Sequence, residues 1–223
     1  MKIFPKTELA KAYELMKSSF DANELGSLEQ LRLHFADPRY TLYSYDDESG
    51  ALTGLQILWE EAKFVFGAYV VVRADARSRN LGRTMIKDAL NYCDRIQKLF
   101  IAEVEPLAAP NSAERIEFTL KTHVRMNPAD YLKELIDYAN MLDERDRPDI
   151  YEITHPDSII PERRIAYYLE LGMKLNPYDY VQPALEKTKT PVKLNIMSYP
   201  RDLTPAEFEE FRDTLYREMY KVK

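Results

Sequence analysis

The residues best suited to chemistry lie in one run, Val70-Val71-Val72-Arg73-Ala74-Asp75-Ala76-Arg77-Ser78-Arg79-Asn80-Leu81-Gly82-Arg83-Thr84. A β-rich segment passes there through a polar break into a helical pattern. The first amides of a helix lack intrahelical acceptors and carry the positive end of the macrodipole, and small residues let a ligand approach the backbone. That arrangement suits a phosphate or pyrophosphate. Four arginines, Arg73, Arg77, Arg79 and Arg83, add positive charge, although 31 Lys and Arg against 37 Asp and Glu leave the chain at −6. Any anion site is therefore local, and a general polyanion binder is excluded. The alternative reading is a solvated, arginine-rich helix start. The run contains neither the Gly-Lys-Ser/Thr of a P-loop nor a G-x-G-x-x-G.

Two carboxylates form a second constellation. Leu99-Phe100-Ile101-Ala102-Glu103-Val104 reads as a strand, and alternation sets Glu103 and Glu105 on one face. Two carboxylates so placed raise one another's pKa toward the range of a general base, while a polar strand end explains the pattern equally well. Glu152 is a third carboxylate candidate, and His155 a lesser candidate for a base. The histidines His34, His123 and His155 are scattered, none at metal-ligand spacing, so no metal site is expected. Cys93 is the single cysteine, which excludes an intrachain disulfide and a Cys-based zinc site. It falls on an apolar helical face, where a buried, inert thiol is expected.

These residues need elements to hold them. A length of 223 residues fits one large domain or one domain with an insertion, and 45% hydrophobic with 30% charged residues marks a packed globular chain. Thr7 is placed to cap a first helix with Leu9, Tyr13, Met16 and Phe20 on one face, and Ser27 with Gln30 has the capping-box form ahead of a second. Residues 40–45, 51–59 and 64–72 then read as three strands at hairpin spacing, an antiparallel meander. A long helix over 81–97 leads to the strand at 99–104, and a crossover of this kind makes a parallel pair.

Residues 106–160 change character, with proline-punctuated loops around one helix, and are read as a helical insertion into a domain spanning 1–200. A helix over 161–171 stops at Gly172, strand-like Met173-Lys174-Leu175 follows, and 192–197 is a last strand. Thr204-Pro205-Ala206-Glu207 combines a capping box with Pro at the first helical position. It opens a C-terminal helix within 201–223, whose stripe Phe208, Phe211, Leu215 and Met219 packs on the sheet or on another copy of the chain, so a homodimer is one expectation. The class is mixed α/β.

The longest apolar run, 64–72, falls far short of the ~20 residues of a membrane helix, and the first residues lack the apolar core of a secretory signal. A cytoplasmic protein with no membrane partner is expected. Sixteen tyrosines are not interleaved with a basic stripe, so no nucleic-acid partner is expected either.

Arg77-Ser78-Arg79-Asn80-Leu81-Gly82 resembles the Arg/Gln-x-x-Gly-x-Gly/Ala signature of the Gcn5-related N-acetyltransferase (GNAT) superfamily. It matches at Arg77 and Gly82 and departs at Asn80, where glycine is usual; Asn tolerates left-handed backbone better than most residues. Tyr168-Leu169-Glu170-Leu171-Gly172-Met173 is similar to the Tyr-x-x-x-Gly-Phe sequence of the same superfamily. The order of elements also resembles it over roughly 1–104 and 149–197.

The resemblance implies a GNAT-like mixed sheet, an antiparallel meander plus a parallel crossover flanked by helices. It further implies direct transfer of an acetyl group from acetyl-CoA, as co-substrate, to an amine on a small molecule or peptide. By the resemblance, Val70, Val71 and Val72 hold the pantetheine arm, the loop and helix start from Arg77 to Thr84 cradle the pyrophosphate, and Tyr168 protonates the departing thiolate. Glu103 and Glu105 then become candidates for the base that frees the amine. Ile165, Tyr168 and Leu169 share a helical face, so a purely structural core tyrosine is the alternative at 168. A CoA-binding module without catalysis is the alternative for the whole chain.

Overall fold

The apolar segments assemble into one eight-stranded sheet in the computed structural model, which describes residues 1–20, 25–76, 80–105, 160–185 and 189–221. The strands are β1 (Lys2–Ile3), β2 (Tyr40–Asp46), β3 (Leu52–Glu60), β4 (Phe64–Val72), β5 (Leu99–Val104), β6 (Lys174–Leu175), β7 (Tyr180–Gln182) and β8 (Val192–Tyr199). Their order is β1-β2-β3-β4-β5-β8-β6, with β7 also on β8. The β2-β3-β4 meander is antiparallel and β4 runs parallel to β5, as the crossover requires. Strand β3 is buried along almost its whole length, and accordingly its sequence is nearly unbroken apolar.

Helices cover both faces. On one lie α1 (Leu9–Lys17), α2 (Leu28–Ala36) and the C-terminal α5 (Pro205–Thr214), which continues as a π turn over Leu215–Met219. Phe211 of α5 meets Phe64 and Phe66 of β4 at ring-centroid distances of 5.4 and 5.8 Å, so within this chain the terminal helix packs on the sheet. On the other face α3 (Leu81–Ile96) and α4 (Ile160–Glu170) bury Ile86, Ala89, Cys93, Ile165 and Ala166 against Val65 and Phe100. Gly172, at φ +89°, turns the chain out of α4 toward β6.

The caps differ in detail from expectation. Thr7 lies in a 3-10 turn over Lys6–Glu8, closed by the Glu8 amide on the Pro5 carbonyl, and α1 starts without a side-chain cap. Phe20 lies beyond the end of α1 and packs edge-on against Tyr69. Ser27 caps α2 by accepting from the Gln30 amide, but the Gln30 side chain donates to the Leu185 carbonyl, so only half of the box forms. The box at α5 is complete: Thr204 Oγ1 accepts from the Glu207 amide and the Glu207 carboxylate accepts from the Thr204 amide. The proposed insertion, with Glu152, His123 and His155, lies outside the described residues.

One irregularity interrupts the meander. Ile57 faces Tyr69 and Leu58 faces Gly67, so Ala68 is an extra residue, a β-bulge in the middle of β4.

Candidate active site

The start of α3 is built as the sequence motif demands. Asn80, its N-cap residue, sits at φ 60°, ψ 10°, the left-handed region. A short polar residue thus takes the conformation for which glycine is usual. The Thr84 amide bonds the Asn80 carbonyl at 3.0 Å, so the preceding amides of the first turn face outward without intrahelical acceptors. Gly82 has an ordinary backbone, and a Cβ built there would meet only Val72 Cγ2, at 3.9 Å. Neither backbone strain nor packing calls for glycine at this position. What it leaves is open space between the first helical amides and the end of β4.

The arginines divide. Arg73 donates to Asp75 and to the Leu52 carbonyl, and Arg83 makes a two-pronged bond with Glu170 on α4, both contacts at 2.8 Å, with its guanidinium over the Tyr167 ring. Both cations are committed to carboxylates, and Arg83 fastens the start of α3 to the end of α4. Arg77, Ser78 and Arg79 lie outside the described residues.

Beside this helix start the sheet opens. The parallel ladder of β4 with β5 runs from Phe64↔Leu99 to Gly67↔Ala102 and ends there, while β3 stays paired with β4 as far as Val72. The parting point coincides with the bulge at Ala68. From there on the edge of β4 that includes Val70, Val71 and Val72 is no longer paired with β5, and Val72 lies beside Gly82.

The two carboxylates of β5 are not brought together as alternation suggested. Strand β5 ends at Val104, so the period of two no longer governs Glu105, which forms an ion pair with Arg164 of α4. Glu103 turns to the opposite face, where it accepts hydrogen bonds from the hydroxyls of Tyr180 and Tyr220, the latter at 3.1 and 3.3 Å. The two carboxylates thus face different partners on opposite sides of the sheet and do not form one site. Tyr168 is 9% exposed and belongs to the core between α4 and the sheet, with Arg164 and Glu105 as charged neighbours. Burial raises its pKa, so the phenol stays protonated at neutral pH.

On the α2 face a small cavity of about 30 Å³ reaches the bulge, lined by Glu103, Ala68, Tyr69, His34, Gln182 and Tyr220 among others. Its volume is that of one or two water molecules. Burial lowers the His34 pKa, assisted by the nearby Lys221 charge, which keeps the imidazole neutral. His34, Tyr180 and Tyr220 were not singled out by sequence. Tyr220 continues the stripe of the last helix and was legible in principle, whereas the meeting of Tyr180 with Glu103 depends on the β5-β8-β7 order. Cys93 is buried, with its thiol pushed up to about 12, as an inert core residue should be. Among the described residues there is no metal-binding cluster and no helix long and apolar enough to cross a membrane.

No protein-family sequence model and no curated protein sequence matches the chain. Solved structures do. A Bacteroides thetaiotaomicron protein assigned to the GNAT acetyltransferases superposes with a TM-score of 0.64 at 18% identity, covering 100% of both chains. The chain has the GNAT fold. The ribosomal-protein-S18-alanine N-acetyltransferase of Escherichia coli follows with a TM-score of 0.53 at 13% identity, over 91% of this chain and 94% of that one. An aminoglycoside 6'-N-acetyltransferase complexed with coenzyme A gives 0.50 at 13% identity, over 89% and 96%.

The GNAT fold makes acetyl-CoA the ligand against which the site must be tested. Its residues fit. The left-handed Asn80, the outward amides of α3 and the space at Gly82 suit a pyrophosphate, and the edge of β4 left by β5 suits an amide-bearing arm.

Proposed function

We propose that the protein is an acetyl-CoA-dependent N-acetyltransferase that moves the acetyl group directly to an amine on a small molecule or peptide. One observation carries this reading: β5 parts from β4 at the Ala68 bulge, which lines a carboxylate-bearing cavity, and the β4 edge so released ends at Val72 beside the uncapped start of α3. Acetyl-CoA, when bound, supplies a thioester whose acyl carbon takes the amine nitrogen while the C–S bond breaks. Val70, Val71 and Val72 offer backbone groups to the pantetheine arm, and backbone amides at the bulge are placed to polarise the acyl oxygen. The segment comprising Arg77, Ser78, Arg79, Asn80, Leu81, Gly82, Arg83 and Thr84 holds the pyrophosphate, Arg83 through its amide only. Glu103, which lines the acceptor-side cavity, is a better placed base than Glu105, which is paired with Arg164. Tyr168 supplies the proton to the thiolate.

A second reading has its own support. The acceptor-side cavity is small, and its carboxylate is already bonded to two tyrosines, as in a module that binds CoA without turning it over. Melting of the protein with acetyl-CoA and with CoA, followed by thiol release with a panel of primary amines, separates the two. Tyr168→Phe should lower turnover about a hundredfold while leaving the acetyl-CoA-induced melting shift unchanged. Unchanged turnover would remove Tyr168 from the chemistry.

A further inference from the structure

The carboxylate of Glu103 is held by a residue from outside the part of the chain whose sequence resembles GNAT proteins. Tyr220 follows the π turn at the end of α5, is half-buried, and places its hydroxyl against both oxygens of Glu103 at 3.1 and 3.3 Å. Met219 and Tyr220 form one wall of the cavity. Its other walls come from α2 and strands β2, β4, β5 and β7, which belong to the sheet or its core, and from Leu185 in the loop after β7. An amine whose carbon chain exceeds this space must displace a wall to reach Glu103, and Tyr220 is the lining residue whose hydroxyl already occupies that carboxylate.

We propose that Tyr220 is the specificity-determining residue of the acceptor site, and that the acceptor's ammonium displaces its hydroxyl from Glu103. The inference rests on the acyltransferase reading and names its acceptor as a cationic, slender primary amine. An ammonium is a stronger donor to a carboxylate than a phenol, and the rings of Tyr40, Phe66 and Tyr69 that border the cavity add attraction for a cation. Tyr220 then competes with the acceptor, so its removal should improve amine binding. A residue that merely positioned Glu103 would act in the opposite direction.

The test is calorimetric titration of the full chain with propylammonium chloride at constant ionic strength, in parallel with acetyl-CoA. Tyr220→Phe should bind propylammonium about tenfold more tightly than the parent, and Tyr220→Ala should in addition accept benzylammonium. Glu103→Gln in the Tyr220→Phe background should abolish the gain. Acetyl-CoA affinity should be the same in the parent and both Tyr220 variants. Equal or weaker propylammonium binding by both Tyr220 variants overturns the proposal, even where acetyl-CoA binds normally. Absence of acetyl-CoA binding in the parent chain instead removes the transferase reading on which the proposal stands.

Discussion

Replacing Gly82 by alanine separates fold from function by the sign of its two effects. The backbone at Gly82 is ordinary, and the nearest atom to an added Cβ is Val72 Cγ2 at 3.9 Å, a normal contact. Alanine in a helix gains up to about 1 kcal/mol over glycine, and near the first turn about 0.5 kcal/mol is expected. For a chain of this size that raises the melting temperature by about 1–2 °C. The same methyl group occupies the space in front of the first helical amides. Loss of one amide bond to a charged oxygen costs about 1.5–3 kcal/mol, at least tenfold in affinity. At acetyl-CoA one hundred times the parent Kd, the parent gains about 2.7 kcal/mol and a variant weakened tenfold about 1.4 kcal/mol. The order of stability therefore inverts: the variant melts higher alone and lower with acetyl-CoA. Thermal melting of both proteins across an acetyl-CoA titration reads this directly. A variant that remains the more stable at every concentration would refute the assignment of Gly82 to the ligand.

Asn80→Val forces a β-branched residue to φ near 60° and should cost about 1–2 kcal/mol in denaturant unfolding, whereas Asn80→Gly should keep both stability and acetyl-CoA binding. The Glu207 carboxyl is depressed to about 2, first by its bond to Arg201 and then by the Thr204 amide. Its stabilisation is present above about 4.5 and lost as pH falls toward 2. Because Arg201 is 55% exposed, solvent screening reduces this to about 1 kcal/mol, the gap expected between the parent and Glu207→Gln at pH 7, closing by pH 2 in acid unfolding curves. Cys93 should resist a thiol reagent at pH 8 in the native protein and react within the dead time once unfolded, because it is buried and its thiol is protonated there.

What sequence disclosed was local. The complete capping box at Thr204 and Glu207 and the left-handed tolerance of Asn80 depend on a few consecutive residues, and both appear as expected. The buried face of α3 likewise follows from spacing alone. Thr7 failed as a cap because a backbone bond from Glu8 to Pro5 closes the turn first, a competition that residue type does not report. Glu103 and Glu105 were read as a pair because alternation assumes that the strand continues, and it stops at Val104. Arg73 and Arg83 were counted as positive charge at the loop, but Arg73 is paired with Asp75 two residues on and Arg83 with Glu170, far away in sequence. Long-range pairing decided Glu105 and Arg83, and a single sequence carries little record of it.

The bulge in β4 has a consequence for chain length. Phe64 and Phe66 face the α2 side, and so, beyond the bulge, do Tyr69 and Val71, with Ala68 sharing that side. Deleting Ala68 would leave this inside-outside order unchanged: Gly67 would precede Tyr69 in simple alternation, and β3 would pair with β4 without interruption. The core does not need the residue. The parting of the strands coincides with it, since β5 leaves β4 immediately after Gly67 and bulges bend the strand that carries them. One surplus codon in a nine-residue strand thus separates a sheet that is merely well packed from one that parts where the proposed acetyl-CoA arm would lie.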